Sequence, residues 1–317
     1  MGQFIISLDF EKFWGACDHV KLEDYRLKLE RVDKICLEML ELFSEYDIHA
    51  TWATVGLLAF DNKNDLLTML STNKSSYERI KLSPYEYIFG NDLEKDLHFA
   101  PNIIKKIRQA KNQELASHTF SHFYCLEPGQ NLESFDLDLK MNIRVMKEKF
   151  GVDLCSLVFP RNQIKKEYLN ILTANGIKCY RGNERNWIYQ EGMIFFLKRG
   201  FRLIDSYLNI TGSNTYKLKD IQKGVPYNMP SSCFLRPVRS KDSLLKRLKM
   251  KRIKSQMTFA ARNDKVFHIW WHPHNFGNDI TANIFFLREI LEYFVFLKNE
   301  YGMCSLNMNE LCKRIEE

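Results

Sequence analysis

Short runs of apolar residues alternate along the chain with longer stretches that carry the apolar period of a helix. The run Phe4–Asp9 precedes a helical pattern over Leu22–Tyr46, and a second strand-like run follows at His49–Val55. This order is typical of a parallel sheet whose strands are joined by helices. It constrains the fold more than any other feature, since parallel neighbours require a long connection that returns to the same end of the sheet.

The alternation continues toward the C-terminus. Further strands are predicted at Glu114–Ser117, Leu154–Phe159, Ile177–Tyr180 and Val266–Trp271, and helices at Ile103–Ala110, Leu132–Phe150, Lys165–Asn175 and Ile280–Glu300. No internal repeat and no Pro- or Gly-rich linker interrupts the 317 residues. We therefore predict one α/β domain over residues 1–317, an irregular (β/α) barrel of about seven parallel strands, with an open doubly wound sheet as the alternative.

Three segments depart from this regular pattern. Residues 56–100 have weak periodicity and several Asn, Lys, Ser and Pro, which predicts an insertion with short helices. Residues 187–207 mix aromatic and basic side chains without a firm period. Residues 239–254, the basic segment, contain eight Lys and Arg against Asp242 alone, which accounts for the whole formal net charge of +7. This segment is either a solvated charged helix or loop, or a surface for phosphate or anionic lipid headgroups.

Composition and the start of the chain favour a cytoplasmic protein. The eight cysteines are scattered among apolar residues with no CxxC pair, as expected of reduced, mostly buried thiols. No apolar stretch approaches the roughly 20 residues that cross a membrane, and the N-terminus lacks the pattern of a signal peptide. With 45% hydrophobic and 27% charged residues, the composition excludes a disordered chain and a disulfide scaffold.

Residues able to carry chemistry follow several predicted strands, at the end where α/β barrels place their active sites. Asp9 and Glu11 leave the first strand two residues apart, so in an extended chain they point the same way. His118 and His122 lie four residues apart after the third strand, where a helical turn would present both imidazoles on one face. Two histidines and a carboxylate suit Zn²⁺ or a similar metal. The plainer alternative is a pair of solvated loop acids and a chance histidine spacing.

Two further clusters lie at predicted strand ends. The strand Leu154–Phe159 runs into a turn containing Arg161, which is either an exposed turn arginine or a cation that keeps a nearby carboxylate ionised. In the last predicted strand, alternation puts His268, Trp270 and His272 on one face. His272 is nearest the strand end and is the candidate proton donor.

These clusters, in this order and over most of the chain, resemble the motifs of the polysaccharide deacetylase family, the NodB-homology group of carbohydrate esterase family four. The matching stretches are Asp9-Phe10-Glu11, Ala50-Thr51-Trp52-Ala53-Thr54, His118-Thr119-Phe120-Ser121-His122, Phe159-Pro160-Arg161 and Trp270-Trp271-His272-Pro273. The first stretch departs from the family, which has adjacent aspartates or Asp-x-Asp. The stretch Phe159-Pro160-Arg161 departs as well, because the family more often has an Arg-x-Pro-Tyr arrangement.

The resemblance implies a distorted (β/α) barrel and a role for each matching residue. The metal ligands would be Glu11, His118 and His122. Asp9 would be the general base, or the metal ligand in place of Glu11, while His272 would be the general acid and Arg161 would hold Asp9. One divalent metal is implied, with Zn²⁺ expected and Co²⁺, Ni²⁺, Fe²⁺ and Mn²⁺ as alternatives. Contacts with the substrate are expected from Trp14, Trp271, His274 and Asn275.

The implied activity is metal-dependent hydrolysis of an amide bond, which removes an acetyl or formyl group from an N-acylated sugar. Because the sequence has no export signal, we expect a sugar used in bacterial surface-polysaccharide assembly, either nucleotide-linked or lipid-linked at the inner leaflet. Peripheral contact with the anionic inner membrane is compatible with this function, and no nucleic-acid partner is expected. The alternative is a catalytically silent barrel that binds carbohydrate, or an anionic membrane surface through the basic segment.

Overall fold

A computed structural model describes residues 1–70, 76–189, 195–221, 224–241 and 243–317. Among these residues the sheet contains nine strands, which are β1 Gln3–Phe10, β2 Ala50–Thr54, β3 Gln113–Ser117, β4 Ser156–Val158, β5 Cys179–Gly182, β6 Tyr227–Pro230, β7 Cys233–Phe234, β8 Val266–Trp271 and β9 Cys304–Leu306. Their hydrogen-bonded order is β6-β5-β4-β3-β2-β1-β8-β7, with β9 added to β1. All of these pairs are parallel.

Helices cover the outside of the sheet. Those in the described residues are α1 Leu22–Leu29, α2 Val32–Glu45, α3 Lys63–Met69, α4 Pro84–Gly90, α5 Lys95–His98, α6 Pro101–Gln109, α7 Leu132–Phe150, α8 Leu169–Ala174, α9 Phe195–Asp205, α10 Ser243–Arg262, α11 Ile280–Tyr301 and α12 Met308–Glu316. Short 3₁₀ turns lie between them at Lys12–Gly15, Gly56–Ala59, Ile80–Leu82, Pro160–Asn162, Lys166–Tyr168, Trp187–Tyr189, Leu218–Asp220 and Pro273–Asn278. Within the described ranges, no helix has the length and apolar character needed to cross a membrane.

The order of the strands identifies the sheet as a curled barrel. From β1 to β6 each strand pairs with the next one in the chain, without the reversal that defines a doubly wound sheet. The segment Tyr227–Phe234 then joins the two edges, because β6 pairs with β5 while β7 pairs with β8. Between them, Ser231 N–H donates to Gly182 O at 2.9 Å and Ser232 N–H donates to His268 O at 2.7 Å. The predicted irregular (β/α) barrel is therefore confirmed.

Alternation along the strands separates the two faces of the sheet. In β1, which is buried along its whole length, Phe4 and Ile6 pack into the large core beneath the helices. Ile5 belongs instead to a smaller apolar cluster with Val158 and Val266, residues of other strands. Ser7 and Asp9 continue the face of Ile5 toward the C-terminal end of the barrel. Polar side chains thus replace apolar ones along this face as the strand approaches that end.

The opposite end of the barrel is filled by contacts with α12. Glu114 in β3 accepts hydrogen bonds from Thr51 Oγ1 at 2.7 Å and from Asn309 N–H at 3.1 Å. Met308 N–H donates to Thr51 Oγ1 at 2.8 Å. Burial raises the pKa of Glu114. Both of these bonds reach Glu114 Oε2, and Ser156 Oγ donates to Oε1, so the carboxyl group has a structural role at this end of the barrel.

Two helical predictions differ from the observed fold. The single helix expected over Leu22–Tyr46 is divided into α1 and α2 at Glu30 and Arg31, and both helices pack against the turn Pro273–Asn278. A Cβ at Gly277 would lie 2.9 Å from Lys28 Cα, so a glycine permits this close contact. Residues 187–207, for which the sequence predicts no regular element, contain helix α9.

Candidate active site

Asp9 and Glu11 lie together at the C-terminal end of β1, as their spacing predicts. Glu11 follows the strand directly and is buried. Its side chain lies over the turn Lys12–Gly15, where a Cβ on Gly15 would overlap the Glu11 carboxylate. Glycine at this position therefore makes room for the longer acidic side chain.

His118 and His122 follow β3 in a tight turn rather than in the helical turn predicted from their spacing. Thr119 and His122 have positive φ angles of 61° and 57°, a conformation that non-glycine residues rarely adopt outside constrained sites. The imidazole rings still lie side by side, with centroids 5.0 Å apart. His118 Nδ1 lies 2.8 Å from Val158 O, so it carries the ring proton and leaves the Nε2 lone pair available.

Three ligand atoms converge on one point. Glu11 Oε2 lies 3.3 Å from His118 Nε2 and 3.0 Å from His122 Nε2, and the three atoms lie within 4.8 Å of one another. In the described part of the chain neither buried Nε2 atom has a hydrogen-bond partner of normal geometry. Buried imidazole nitrogens of this kind are satisfied by a metal ion or by water. Two imidazoles and a carboxylate supply three of the four ligands that Zn²⁺ and similar divalent metals take in catalytic sites.

The pKa shifts of Glu11 and His122 agree with this fit. Burial alone would raise the pKa of Glu11, but His272 and His122 lower it more strongly, so that the pKa lies well below its usual range. Burial lowers the pKa of His122 despite the nearby Glu11 carboxylate. Metal binding requires an ionised carboxylate and a neutral imidazole at each ligand, and the two shifts favour these forms of Glu11 and His122.

Asp9 is bound by Arg181, a residue that the sequence analysis missed. Arg181 Nη1 donates to Asp9 Oδ1 at 2.6 Å and Nη2 donates to Oδ2 at 2.8 Å. Burial would raise the pKa of Asp9, but the Arg181 guanidinium outweighs it and the pKa is lowered. Because its two oxygens face Arg181, it is Glu11 rather than Asp9 that groups with the histidines. The available signal was the position of Arg181, one residue beyond the predicted strand Ile177–Tyr180.

Arg161 does not have the role predicted for it. Its Nη2 donates to Asp18 Oδ2 at 2.6 Å, and its guanidinium lies 3.9 Å from the centroid of the Tyr124 ring. The reason is its place in the chain: Arg161 lies in the turn beyond β4 with a φ of 53°, whereas Arg181 lies within β5 and reaches across to Asp9. The prediction that Arg161 holds Asp9 is therefore corrected.

His272 lies beside both carboxylates. Its Nε2 is 3.7 Å from Asp9 Oδ2 and 3.6 Å from Glu11 Oε1. Asn275 Nδ2 lies 3.3 Å from His272 Nδ1, so an N–H donated there leaves the ring proton on Nε2, facing the carboxylates. Asn275 thus contacts His272, while His274 is buried with its ring 5.1 Å from that of His272.

The alternation predicted for β8 is observed. His268 Nε2 lies 2.8 Å from Ser7 Oγ, and the Trp270 ring covers the Arg181 guanidinium at 4.1 Å. Both side chains therefore join His272 on the face that carries Asp9. This face is the one expected from the period of two along a strand.

The predicted substrate contacts of Trp14 and Trp271 are corrected. Trp271 is 0% exposed and stacks on Phe276 on the outer side of the sheet. Trp14 is 1% exposed, and its Nε1 donates to His98 O at 2.6 Å. Both rings belong to the large hydrophobic core, so neither offers a surface to a substrate.

Helix α7 supports the turn that carries the two histidines. Asp138 accepts a hydrogen bond from Phe120 N–H at 2.7 Å and further bonds from the N–H and hydroxyl of Ser121. Asn142 Nδ2 donates to Ser117 Oγ at 2.8 Å. The turn is therefore fixed from beneath by side chains of a neighbouring helix, as the positioning of metal ligands requires.

A cavity of about 660 Å³ opens beside His272 and Trp270. Its other lining residues are Leu126, Arg161, Asn162, Gln163, Asn183, Glu184, Ile188, Arg202, Asp205, Ser206, Cys233, Phe234, Arg236 and Arg252. This volume lies within the range of about 300–1,000 Å³ that is usual for small-molecule sites. The cavity is the candidate substrate site, and Trp270 and Phe234 are its aromatic surfaces.

The basic segment is not uniformly solvated. Most of it forms the first part of α10, where Lys249 and Arg252 are buried. Lys249 Nζ donates to Arg236 O at 3.1 Å and to Pro237 O at 3.0 Å. Arg252 is ion-paired with Asp205 and reaches the cavity. Asp242 lies outside the described residues.

Several proteins of known structure are similar to this chain in fold. The chain is similar to a Mycobacterium smegmatis protein provisionally assigned as a polysaccharide deacetylase, with 12% identity, a TM-score of 0.59 and coverage of 99% of this chain and 90% of that one. It is similar to PuuE allantoinase at 11% identity and a TM-score of 0.58, covering 98% and 89% of the two chains. It is also similar to the GH57-type branching enzyme of Pyrococcus horikoshii at 11% identity and a TM-score of 0.57, covering 100% and 71%. A search of curated proteins by sequence gave no match.

At these identities the structural neighbours establish the fold alone. The family assignment comes from the sequence, since the polysaccharide deacetylase profile matches residues 30–180. The matched region includes His118 and His122, and the fold brings Asp9, Glu11 and His272 from outside it to the same pair of histidines. The similarity to the polysaccharide deacetylase family, the NodB-homology group, therefore extends over residues 30–180 of the chain.

Proposed function

We propose that this protein is a metal-dependent carbohydrate N-deacetylase or N-deformylase. The observation that carries the proposal is the convergence of Glu11 with His118 and His122, beside the Asp9–Arg181 pair and His272. This arrangement combines a metal site that has an open side with one ionised carboxylate and one histidine able to exchange protons. A catalytically silent barrel would not need all of these groups in one place.

The metal would be held by Glu11, His118 and His122, with Zn²⁺ the expected ion. When bound, such an ion supplies Lewis-acid activation of the acyl carbonyl and of the attacking water. The side chains themselves supply orientation and proton transfer. The lowered pKa values of His122 and Glu11 favour the neutral imidazole and the ionised carboxylate that metal binding requires.

Asp9 and His272 would divide the proton transfers. Asp9, kept ionised by Arg181, accepts a proton from the water that attacks the acyl carbon. His272 Nε2–H then donates a proton to the sugar nitrogen as the C–N bond breaks, which yields a carboxylic acid and a free amine. The distance of 3.7 Å between His272 Nε2 and Asp9 Oδ2 supports this division, because both groups lie at the same end of the barrel.

The substrate proposed is a sugar bearing an N-acetyl or N-formyl group, used in the assembly of a surface polysaccharide inside the cell. Support comes from the size of the cavity beside His272 and from its aromatic surfaces, Trp270 and Phe234. Flat apolar rings of this kind pack against the faces of sugar rings. A nucleotide-linked or lipid-linked sugar would reach such a site at the cytoplasmic side of the membrane.

The test combines metal analysis with product detection. Protein purified without chelator is expected to contain one divalent metal per chain and to release acetate or formate from N-acylated sugars. His122→Ala should lose both the metal and the activity. Asp9→Asn and His272→Ala should keep the metal and lose about 10²–10⁴-fold in kcat.

His49→Ala is the matched control, since His49 pairs with Glu310 at the opposite end of the barrel. It should keep both metal and activity. A wild-type protein that neither contains nor takes up a divalent metal would refute the proposal. So would an Asp9→Asn variant with unchanged kcat.

A further inference from the structure

Helices α10 and α11 lie side by side on the outside of the barrel, and their outer faces leave an open groove. Along the groove Lys246 Nζ lies 2.8 Å from Glu289 Oε2, and Thr258 Oγ1 lies 2.6 Å from Tyr293 Oη. These contacts follow the same order in both helices, so the two helices run in the same direction. The groove therefore follows both helices, with one wall from each.

Cations of α10 line much of this groove. In its first part the lining residues of the described chain are Ser243, Lys246, Arg247, Met250, Lys251, Lys254 and Glu289, around a volume of about 510 Å³. Further along, Lys251 and Lys254 continue the wall toward Arg262. Arg247 and Lys251 are exposed to solvent, whereas Lys246 is ion-paired with Glu289. The groove thus presents Arg247 and Lys251, one turn apart, on a single face of α10.

Large apolar side chains are exposed beside these cations. Phe285 and Phe296 of α11 are 54% and 49% exposed. Lys246 Nζ lies 4.5 Å from the centroid of the Phe285 ring. The Phe296 ring stacks on Tyr293, whose ring centroid lies 4.8 Å from Lys254 Nζ. Lysines and exposed rings therefore alternate along the groove.

We propose that this α10–α11 surface, which comprises Arg247, Lys251, Phe285, Phe296 and the exposed Leu244, binds an anionic lipid bilayer. Lysine and arginine near a bilayer are attracted to its anionic headgroups, and aromatic rings are favoured at the boundary between headgroups and acyl chains. A polynucleotide would pair with the cations but leave the apolar side chains in water. The alternation of the two kinds of side chain therefore favours a bilayer over a nucleic acid.

Helix α10 lies between this surface and the candidate substrate cavity. Arg252 follows Lys251 directly and lines the cavity, where it is ion-paired with Asp205. A bilayer bound at Lys251 would therefore leave a single helix between its headgroups and the cavity. Of the substrates proposed above, a lipid-linked sugar is the one that this placement favours. That last step rests on the proposed function, whereas binding of the bilayer does not.

Cosedimentation of the 317-residue chain with lipid vesicles tests the proposal. Vesicles of phosphatidylcholine with about 30% phosphatidylglycerol should bind the chain about 10-fold more tightly, or better, than vesicles of phosphatidylcholine alone. Arg247→Glu combined with Lys251→Glu should weaken that binding about 10- to 100-fold, and Phe285→Ser should weaken it about 5- to 10-fold. Glu292→Lys, at an exposed position of α11 between the two phenylalanines, should strengthen it about 5- to 10-fold, which a folding defect would not do.

Lys105→Glu combined with Lys106→Glu is the matched control, because both lysines are exposed on α6 and the change in net charge is the same. Its vesicle binding should equal that of the wild type. Equal binding of neutral and anionic vesicles, or an equal loss in the control, would overturn the proposal. So would tighter binding to a polynucleotide than to anionic vesicles, or a dimer of the chain that is lost in Phe285→Ser without any binding to vesicles.

Turnover separates this proposal from the proposed function. With a water-soluble N-acyl sugar, Arg247→Glu combined with Lys251→Glu should have the kcat/KM of the wild type. With a lipid-linked sugar in anionic vesicles, the same variant should lose about 10-fold or more in kcat/KM. Equal losses on both substrates would contradict the placement of the bilayer beside the cavity. If no sugar is deacylated while anionic vesicles still bind, the proposed function fails and the bilayer surface stands.

Discussion

At the scale of single residues, Asp9 and Arg181 form the most constrained contact in the site. Both side chains are buried, and the Trp270 ring covers the guanidinium. Arg181 also donates to Ser7 Oγ and to Asn162 Oδ1, each at 3.1 Å. A buried ion pair is stabilising only where such additional bonds offset the loss of hydration. The pair is therefore one part of a hydrogen-bonded network that fixes the Asp9 carboxylate.

Arg181→Met should lower the free energy of unfolding by about 3–5 kcal/mol, because it leaves the Asp9 carboxylate buried without its partner. Adding Asp9→Asn removes that charge and should restore more than half of the loss. Chemical denaturation of the wild type, both single variants and the double variant measures the coupling. The control pair is Arg161→Met with Asp9→Asn, whose effects should add. A double variant no more stable than Arg181→Met would contradict direct pairing.

A second chain of contacts supports His122. Tyr124 Oη donates to Asp18 Oδ1 at 3.2 Å and lies 3.3 Å from His122 Nδ1, whose proton it can accept. Arg161 holds the other oxygen of Asp18. His122 Nε2 is thereby left free for a metal, since the proton is kept on Nδ1. Arg161 is thus connected to His122 through Asp18 and Tyr124.

Tyr124→Phe should weaken metal binding about 10- to 100-fold, because His122 loses the acceptor for its Nδ1 proton. Competition with a chromogenic chelator measures the Kd directly and does not depend on turnover. Tyr87→Phe serves as the control, since its hydroxyl faces His98 Nε2 at 3.1 Å. An unchanged metal Kd in Tyr124→Phe would show that the tyrosine does not orient the ligand.

At the scale of secondary-structure elements, α7 connects the helical layer to the metal site. Asp138 and Asn142 lie one turn apart on its buried face and bind the turn after β3. Burial raises the pKa of Asp138 to about 6, although three donors face it. A buried acid at this position indicates that α7 is adapted to fix the turn and not only to cover the sheet.

Asp138→Ala should lower the free energy of unfolding by on the order of 3 kcal/mol, because the Phe120 and Ser121 amides lose a buried acceptor. It should also weaken metal binding, since His118 and His122 flank those amides. Denaturation and metal titration test the two effects separately. Glu133→Ala, an exposed position on the same helix, should leave both unchanged. Normal metal affinity in Asp138→Ala would mean that the turn keeps its shape without α7.

Helices and strands with a clear periodicity of apolar residues were predictable from the sequence, whereas the short strands were not. Helix Leu132–Phe150 and strand Val266–Trp271 have the predicted bounds. Strands β6 and β7 were missed because each is short and interrupted, and their pairing depends on partners far apart in the chain. The same distance explains why Arg181 was missed. The arginine that reaches Asp9 is determined by the order and register of the paired strands around the barrel. A single sequence does not specify that register.

At the scale of the whole molecule, the basic segment contributes to the interior as well as to the surface. Arg252 links α10 to Asp205 at the edge of the cavity, and Lys249 binds the carbonyl oxygens that precede α10. Exposed cations such as Arg247 and Lys251 remain on the outer face. The net charge of the chain is thus divided between structural contacts, the cavity wall and one exposed surface. Counting charges along the sequence located the cluster correctly but did not separate these three uses.

Three buried histidines should make the whole fold sensitive to acid. Burial lowers the pKa of His98 to about 4, and that of His268 and of His274 to about 3. In the unfolded chain an imidazole takes up a proton near pH 6.5. The unfolded state therefore binds more protons than the folded state below about pH 6.5, and the free energy of unfolding must fall as the pH falls toward the folded pKa values.

The dependence of the free energy of unfolding on pH can be measured for one histidine at a time. Between pH 6 and pH 5, each neutral buried histidine should cost about 1.4 kcal/mol of stability per pH unit. We expect His98→Gln to have a shallower slope than the wild type by about that amount, with urea denaturation at several pH values as the measurement. His19→Gln, on an exposed histidine, is the control. Equal slopes of unfolding free energy against pH for the wild type and His98→Gln would mean that His98 is charged in the folded protein. The His98 ring would then have to be exposed to solvent, away from Glu94 O and the Tyr87 hydroxyl.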